Sequence, residues 1–208
     1  MKDLNEALAE ISTIRSQIAR ATEFRGYGPL TVAVTGLLAL AVAALQGRLF
    51  PEASHKVATY VTIWAVTAAF ATALIGMEMV IRSRTIHSDL ATEMILDAVE
   101  QLIPSAVAGI LIATVLIQVA PEAEWMIPGL WQIIFSLGVF SSARFLPRSV
   151  LVVAAWYMLA GLICLTWSAD IRMLSPWAMG VPFGVGQLIA AAILRWSSEI
   201  PDAAIAIE

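Results

Sequence analysis

The most informative segment of the sequence is WAVTAAFATALIGMEMVIRSRTIHSDLATEMILDAVEQ, from Trp64 to Gln101. Its first half carries a single charged residue, Glu78, before it reaches a pair of arginines, Arg82 and Arg84. Its second half combines carboxylates and apolar residues at the three- and four-residue spacing of an amphipathic helix. An apolar helix that meets a basic boundary and then becomes acidic is typical of a chain that leaves a membrane.

The composition of the whole chain agrees with this interpretation. Hydrophobic residues make up 60% of the 208 residues and charged residues 13%, whereas soluble domains are roughly half apolar and a quarter charged. The charges are gathered in short clusters between long uncharged runs, which indicates several membrane spans and no nucleic-acid partner. A single cysteine, Cys164, excludes a disulfide within the chain and a cysteine-based metal site.

Six apolar runs have the length of about 17–25 residues that a helix needs to cross the hydrocarbon core. They cover residues 29–46, 58–80, 102–120, 126–145, 149–168 and 174–196. The sequence therefore predicts an all-α, polytopic membrane protein with a six-transmembrane-helix bundle over residues 26–197. Residues 82–101 are predicted to form an acidic amphipathic connector in the cytoplasm, and residues 198–208 a cytoplasmic tail.

The amino-terminal segment, residues 1–25, is predicted to be a cytoplasmic amphipathic helix. Its apolar residues recur every three or four positions: Leu4, Leu8, Ile11, Ile14 and Ile18. This stripe suits three roles, which the sequence leaves open. It could cover the inner face of the bundle, lie on the membrane surface, or bind a protein partner or a second copy of the chain.

Lysines and arginines are unevenly distributed between the two sides of the predicted bundle. Nine lie on the side of the termini, namely Lys2, Arg15, Arg20, Arg25, Arg82, Arg84, Arg144, Arg148 and Arg195. Three lie on the opposite side, namely Arg48, Lys56 and Arg172. Because segments rich in Lys and Arg stay in the cytoplasm, both termini are predicted to be cytoplasmic.

Glu78 is the candidate functional residue of the second span, because a charge inside a membrane costs a few kcal/mol or more. In the functional interpretation its side chain faces the sixth span near Gln187, where it could exchange a proton or a cation. In the alternative it pairs with Arg82 one turn away and reaches the inner headgroups. The connector beyond it presents one acidic face, formed by Asp89, Glu93, Asp97 and Glu100. With His87 this face could bind a divalent cation, although a solvated helix face is the simpler interpretation.

The sixth span contains the most irregular stretch of any span, GVPFGVGQ at residues 180–187. Pro182, Gly184 and Gly186 favour either close helix packing or a local break whose freed carbonyls face a cavity beside Gln187. Other residues predicted either to line such a cavity or to pack the core are Trp156 and Tyr157 of the fifth span and Gln132, Ser136, Ser141 and Ser142 of the fourth.

Two stretches carry a resemblance, the PGLW run at residues 128–131 and AAAILRW at residues 190–196. There the chain resembles a group of small, uncharacterised six-span integral membrane proteins of bacteria. The resemblance implies a bacterial inner (plasma) membrane and assigns no functional residue. In the first span, Ala39 and Ala43 form a small-residue pair similar to the docking motif of the substrate-binding subunit of energy-coupling-factor transporters, which implies such a subunit as an alternative.

The function best predicted from these features is that of a small-molecule or ion permease with a cavity between the second and sixth spans. The alternative is a non-transporting sensor or assembly partner that recruits a protein through the amino-terminal helix. We find no motif of a hydrolase, metalloprotease, haem protein or phosphate-binding enzyme. No enzymatic activity, cofactor or metal is therefore predicted, and the expected partners are membrane lipid and a protein.

Overall fold

The structure, a computed structural model, describes residues 28–50, 56–86, 89–142, 149–171 and 174–205. The described chain is built of α-helices, joined in one place by a 3₁₀ segment at Pro121–Met126. The helices are α1 (Pro29–Leu49), α2 (Val57–Ile86), α3 (Asp89–Val119), α4 (Ile127–Ser142), α5 (Val150–Ile171) and α6 (Pro176–Ile205). The prediction of an all-α six-helix bundle is confirmed. The amino-terminal helix predicted over residues 1–25 lies outside the described residues.

Five of the helices contain a segment long and apolar enough to cross a membrane, and α4 forms a sixth such segment together with the 3₁₀ segment before it. These segments are Pro29–Leu49, Val57–Ile81, Glu100–Val119, Pro121–Ser142, Val150–Ser168 and Pro176–Trp196. They follow the six predicted spans closely, because an uninterrupted apolar run of this length has few alternatives to a spanning helix. The chain is a multi-pass membrane protein.

Four of the helices, α2, α3, α5 and α6, are longer than the spans they contain. α2 continues to Ile86 and α3 begins at Asp89, so the predicted connector consists of the ends of two long helices. Of its acidic face, Glu100 is exposed, whereas the side chains of Asp89, Glu93 and Asp97 lie outside those described. α6 likewise continues to Ile205, through most of the predicted tail.

The helices are arranged as two tightly packed pairs to which the other two are added. The largest interfaces are those of α1 with α6 and of α4 with α5. α5 and α6 join the two pairs through a smaller interface, and α3 packs on α4. α2 has the least extensive contacts, with α1 on one side and α3 on the other. In the order α1, α6, α5, α4, α3, α2, each helix therefore neighbours the next.

The α1/α6 pair is closed by backbone-to-backbone contact between antiparallel helices. A Cβ atom placed on Gly36 of α1 would lie 2.9 Å from the Cβ atom of Gln187 and 2.9 Å from the carbonyl oxygen of Gly184. A Cβ atom on Gly180 would overlap the side chain of Ala43. Small residues at these positions let two helices approach closely, which is how helices associate in an apolar solvent.

The α4/α5 pair is closed in the same way by two glycines that face each other. A Cβ atom on Gly129 would lie 2.9 Å from the carbonyl oxygen of Gly161, and one on Gly161 would lie 2.8 Å from the carbonyl oxygen of Gly129. Gly161 also faces Gln132, whose Cβ atom would be 3.2 Å away. This contact fixes the register in which α4 and α5 run antiparallel.

α2 is attached to the bundle mainly near its two ends. Near its start, the Tyr60 hydroxyl donates a hydrogen bond of 2.9 Å to the Ser175 carbonyl, and the buried Trp64 packs close to Gly180. Near the end of the span, Met79 is buried. Between Trp64 and Met79 every side chain of α2 is exposed or half-buried, so most of this span faces the lipid.

Candidate functional site

Glu78 is half-buried, and its carboxylate lies against Gly28, the residue that precedes the first turn of α1. A Cβ atom on Gly28 would overlap that carboxylate. Unpaired N–H groups give the start of a helix a partial positive charge, so a carboxylate is favourable there. The side chain of Arg82, its alternative partner, lies outside those described.

The expected approach of Glu78 to Gln187 is not what the structure contains. Gln187 packs its Cβ atom on Gly36, eight residues beyond Gly28 on α1, which is about 12 Å further along the helix axis. In the half of the bundle where α1 begins, α2 and α6 therefore each contact α1. That helix lies where the sequence predicted a cavity between the second and sixth spans.

Pro182 does break the backbone hydrogen bonding of α6, but the freed carbonyl is paired. Proline has no N–H, so the carbonyl of Ala178, four residues earlier, lacks its helical donor. The Gln132 Nε2 atom of α4 donates to this carbonyl at 2.7 Å. The Trp156 Nε1 atom of α5 donates to the carbonyl of Pro182 itself at 2.9 Å. The prediction that the freed carbonyl faces a cavity is therefore wrong, because a neighbouring helix supplies the missing donor.

The two remaining glycines of the irregular stretch serve close packing, the other predicted role. Gly184 lies against the Leu40 side chain of α1, and Gly186 lies against the Tyr157 ring of α5. A Cβ atom on Gly186 would overlap that ring near its hydroxyl. Gly186 thus makes room for Tyr157 at the point where α5 meets α6.

Tyr157 belongs to a cluster of three aromatic rings in the core. Its ring lies 4.8 Å from that of Phe135, nearly perpendicular to it, and 5.1 Å from that of Phe183. The rings of Phe135 and Phe183 are 5.5 Å apart. These distances are those of direct aromatic packing, so the ring faces of Tyr157 are occupied by protein and only its hydroxyl is left for other chemistry.

Three buried polar side chains lie where α4 and α5 pack together and meet α6, and we call them the polar site: Gln132, Ser136 and Tyr157. Their exposures are 0%, 0% and 1%. Gln132 and Ser136 are one turn apart on α4 and share a face. Gly161, which faces Gln132, is one turn from Tyr157 on α5, so the antiparallel register puts Tyr157 at the level of Ser136.

Within the described part of the chain, each residue of the polar site has one atom without a hydrogen-bond partner. These atoms are the Gln132 Oε1, the Ser136 Oγ and the Tyr157 hydroxyl oxygen. Leaving a buried donor or acceptor unpaired costs about 1–3 kcal/mol. Three such atoms in one region are therefore a specific feature, because interior polar groups are normally paired with protein, water or ligand.

The other predicted polar residues of α4 lack this property. Ser141 and Ser142 donate to the carbonyls of Leu137 and Gly138, each at 3.0 Å. Such bonds within a helix are the usual way in which a serine hydroxyl is satisfied in an apolar environment. Ser136, on the same helix, makes no such bond within the described residues, so its buried hydroxyl is left without a partner there.

A second set of buried polar groups lies near the carboxyl-terminal end of α1, where the sequence analysis predicted no functional residue. Gln46 is 2% exposed, and both of its amide atoms lack a partner among the described residues. The indole N–H of Trp64 on α2 is also unpaired there. The available signal was a glutamine three residues before the end of an otherwise apolar helix, which is too common near membrane boundaries to single out.

Among the described residues, no three His, Cys, Asp or Glu side chains lie together as a metal site requires. Cys164 is half-buried, with its sulfur 3.9 Å from the Ser168 hydroxyl on the next turn. The proposed cation site around His87 and its neighbouring carboxylates falls largely outside the described side chains.

In comparisons with known proteins, no protein family, curated protein or solved structure significantly matches this chain. Ala39 and Ala43, the pair similar to a docking motif, are 5% and 0% exposed because they pack against Gly180 of α6. They are used inside the chain and leave little surface for a second protein. The polar site is therefore the candidate functional site of the described chain.

Proposed function

We propose that the chain is a permease for a small, uncharged polar solute, and that the polar site is where the solute binds. The observation that carries the proposal is that three buried polar atoms, on two neighbouring helices of the core, have no hydrogen-bond partner among the described residues. A solute that pairs with them gains hydrogen bonds that the empty protein lacks. The proposed class is therefore the permease predicted from the sequence. The proposed site, however, lies at the contact of α4, α5 and α6 and not between α2 and α6.

The depth of the site supports transport. Gly186, which touches the Tyr157 hydroxyl, is the central residue of the Pro176–Trp196 span. Binding sites near the midplane, beside an interrupted helix, are typical of transporters. α6 stays helical through Pro182, one turn from Gly186, but lacks one backbone hydrogen bond there.

The chemistry of the lining favours an uncharged solute. The side chains of the polar site are an amide and two hydroxyls, none of which carries a charge. A charged solute would have to give up its hydration without gaining an opposite charge, which costs far more than moving a neutral polar molecule. Glu78, the only charged residue in the second span, lies at the start of α1 instead.

The packing suggests which parts move. The α1/α6 and α4/α5 pairs are each sealed by glycines in backbone contact. The polar site lies between the two pairs, and the bonds that cross there join a side chain to a backbone carbonyl. We propose that the pairs rock as rigid units around the site, which would expose it to one side of the membrane and then to the other.

For the location, we propose a bacterial inner membrane with both termini in the cytoplasm. This rests on the asymmetry of lysines and arginines and on the resemblance described above. Arg48 and Lys56, which would then face the outside, are both exposed near the α1–α2 connection.

The proposal is tested with purified protein in liposomes exposed to an inward gradient of acetamide, with light scattering to follow re-swelling. We expect re-swelling faster than in protein-free liposomes, and no acceleration with sodium gluconate. Combining Ser136→Ala with Tyr157→Phe should slow it, whereas Ser142→Ala should not. If acetamide, glycerol and urea all enter at the protein-free rate, the permease proposal is wrong.

A second function, that of a non-transporting partner protein, is favoured by one observation, the close packing of α1 on α6. Gly36 and Gly180 leave no space there for a solute path. A rigid pair of this kind would also suit a non-transporting protein that holds its cytoplasmic segments in place for a partner. That function predicts protein-free rates for every solute, together with loss of a bound partner when residues 1–25 are removed.

A further inference from the structure

We propose that Gln132 selects for solutes that donate a hydrogen bond, and that it links their binding to the break in α6. This inference rests on the proposed polar site and specifies its ligand. The solute class is a small uncharged molecule with an N–H or O–H group beside a hydrogen-bond acceptor, and a simple carboxamide is its minimal form.

The orientation of the Gln132 amide follows from its partner. A backbone carbonyl only accepts hydrogen bonds, so the atom 2.7 Å from the Ala178 oxygen must be the amide nitrogen. Because Pro182 removes the backbone donor, the Ala178 carbonyl holds Gln132 in this orientation. The Oε1 atom is then left pointing elsewhere, buried and unpaired within the described chain.

This fixed orientation makes the site selective. An amide oxygen only accepts, so whatever pairs with Gln132 Oε1 must donate. The hydroxyls of Ser136 and Tyr157 can each donate as well as accept, so they can pair with an acceptor on the same solute. A primary carboxamide carries both functions in one small planar group. A ketone of the same shape offers an acceptor but leaves Gln132 Oε1 unpaired.

Gln132 also spans the contact between the two helix pairs. It belongs to the α4/α5 pair, and its nitrogen binds α6 of the other pair. A solute that donates to Oε1 while Nε2 donates to Ala178 polarises the amide, and hydrogen bonds in such a chain strengthen one another. The occupied site would therefore hold α4 and α6 together more firmly than the empty one.

The test compares acetamide with acetone, which has nearly the same shape but no N–H group. Binding to the full-length protein in detergent micelles is measured by saturation-transfer NMR, a method suited to weak ligands. We expect acetamide to bind at least about tenfold more tightly than acetone, because acetone leaves a buried acceptor unpaired. Equal binding of the two ligands, or saturation of neither, overturns the inference.

Two variants check that the signal comes from the polar site. Gln132→Leu removes the acceptor and should abolish the preference for acetamide. Because that variant also leaves Ala178 without a donor, Tyr157→Phe provides a second test that keeps the ring packing and should weaken acetamide binding several-fold. Ser142→Ala, whose hydroxyl is paired within α4, is the matched control and should bind normally. Weakening in Ser142→Ala equal to that in Tyr157→Phe overturns the assignment.

The binding and transport experiments can fail separately. Selective acetamide binding in micelles without acetamide flux in liposomes supports this inference and rejects the permease. Acetamide flux that is unaffected by Gln132→Leu, with equal binding of acetamide and acetone, supports a permease and rejects the role of Gln132.

Discussion

The bond between Gln132 and the Pro182 break gives a prediction that a double-mutant cycle can measure. Pro182→Ala returns a backbone N–H to position 182, and that group can donate to the Ala178 carbonyl in the ordinary helical pattern. In this background Ala178 no longer depends on Gln132. We therefore expect Gln132→Leu to destabilise the Pro182→Ala protein less than it destabilises the native protein.

The magnitude follows from the burial of the groups involved. Without the Gln132 donor at 2.7 Å, the Ala178 carbonyl would be left unpaired, which costs about 1–3 kcal/mol. Gln132→Leu also removes the unpaired Oε1 atom, a gain that partly offsets this cost in a single variant. That gain is the same in both backgrounds, so it cancels in the cycle. We expect a coupling free energy of about 1 kcal/mol or more.

The assay is SDS-induced unfolding in mixed micelles, followed by tryptophan fluorescence for the native protein, the two single variants and the double variant. Ser142→Ala combined with Pro182→Ala serves as the control and should be additive, because the Ser142 hydroxyl is paired within α4. A coupling free energy between Gln132 and Pro182 no larger than about 0.3–0.5 kcal/mol, the usual limit of additivity, would refute the reasoning.

Three further predictions concern the helix contacts and the topology. Gly180→Ala should lower the free energy of unfolding, because the added methyl group overlaps α1, whereas Gly76→Ala meets open space and should raise it by up to about 1 kcal/mol. Gly28→Ala should also lower the free energy of unfolding, because the added methyl group overlaps the Glu78 carboxylate. Glu78→Asp, which shortens that side chain, should restore part of the loss, and additive effects of the two substitutions on the free energy of unfolding would contradict the contact. A cysteine that replaces Glu122 should react with an impermeant maleimide added outside intact cells, whereas a cysteine that replaces Arg84 should not. The reverse pattern would show that the predicted orientation in the membrane is wrong.

The spans were predictable from sequence because they depend on local composition alone. A helix in lipid satisfies its own backbone, so an apolar run of sufficient length determines the element without reference to its neighbours. The start of α3 was predictable for the same reason, since its amphipathic spacing is helical whatever lies beside it.

The positions of Glu78 and Gln187 could not be predicted, because they depend on the register between helices. Register is set here by glycines in backbone contact, such as Gly36 against α6. Many glycines and alanines in the sequence could have formed such contacts equally well. The choice among them places Glu78 at Gly28 and Gln187 at Gly36.

The same limit applies to Gln132. From sequence, Pro182 predicts a carbonyl without a donor, and Gln132 is a polar residue in a neighbouring span. Nothing in the local sequence indicates that Gln132 donates to this carbonyl, because the hydrogen bond requires α4 to face α6 at the level of Ala178. In this register, Pro182 removes a backbone donor, the unpaired Ala178 carbonyl fixes the nitrogen of the Gln132 amide, and the amide oxygen is left as an unpaired acceptor in the core. A hydrogen-bond donor of the right size is what that acceptor lacks, which is why the binding hypothesis rests on Gln132 and not on Glu78.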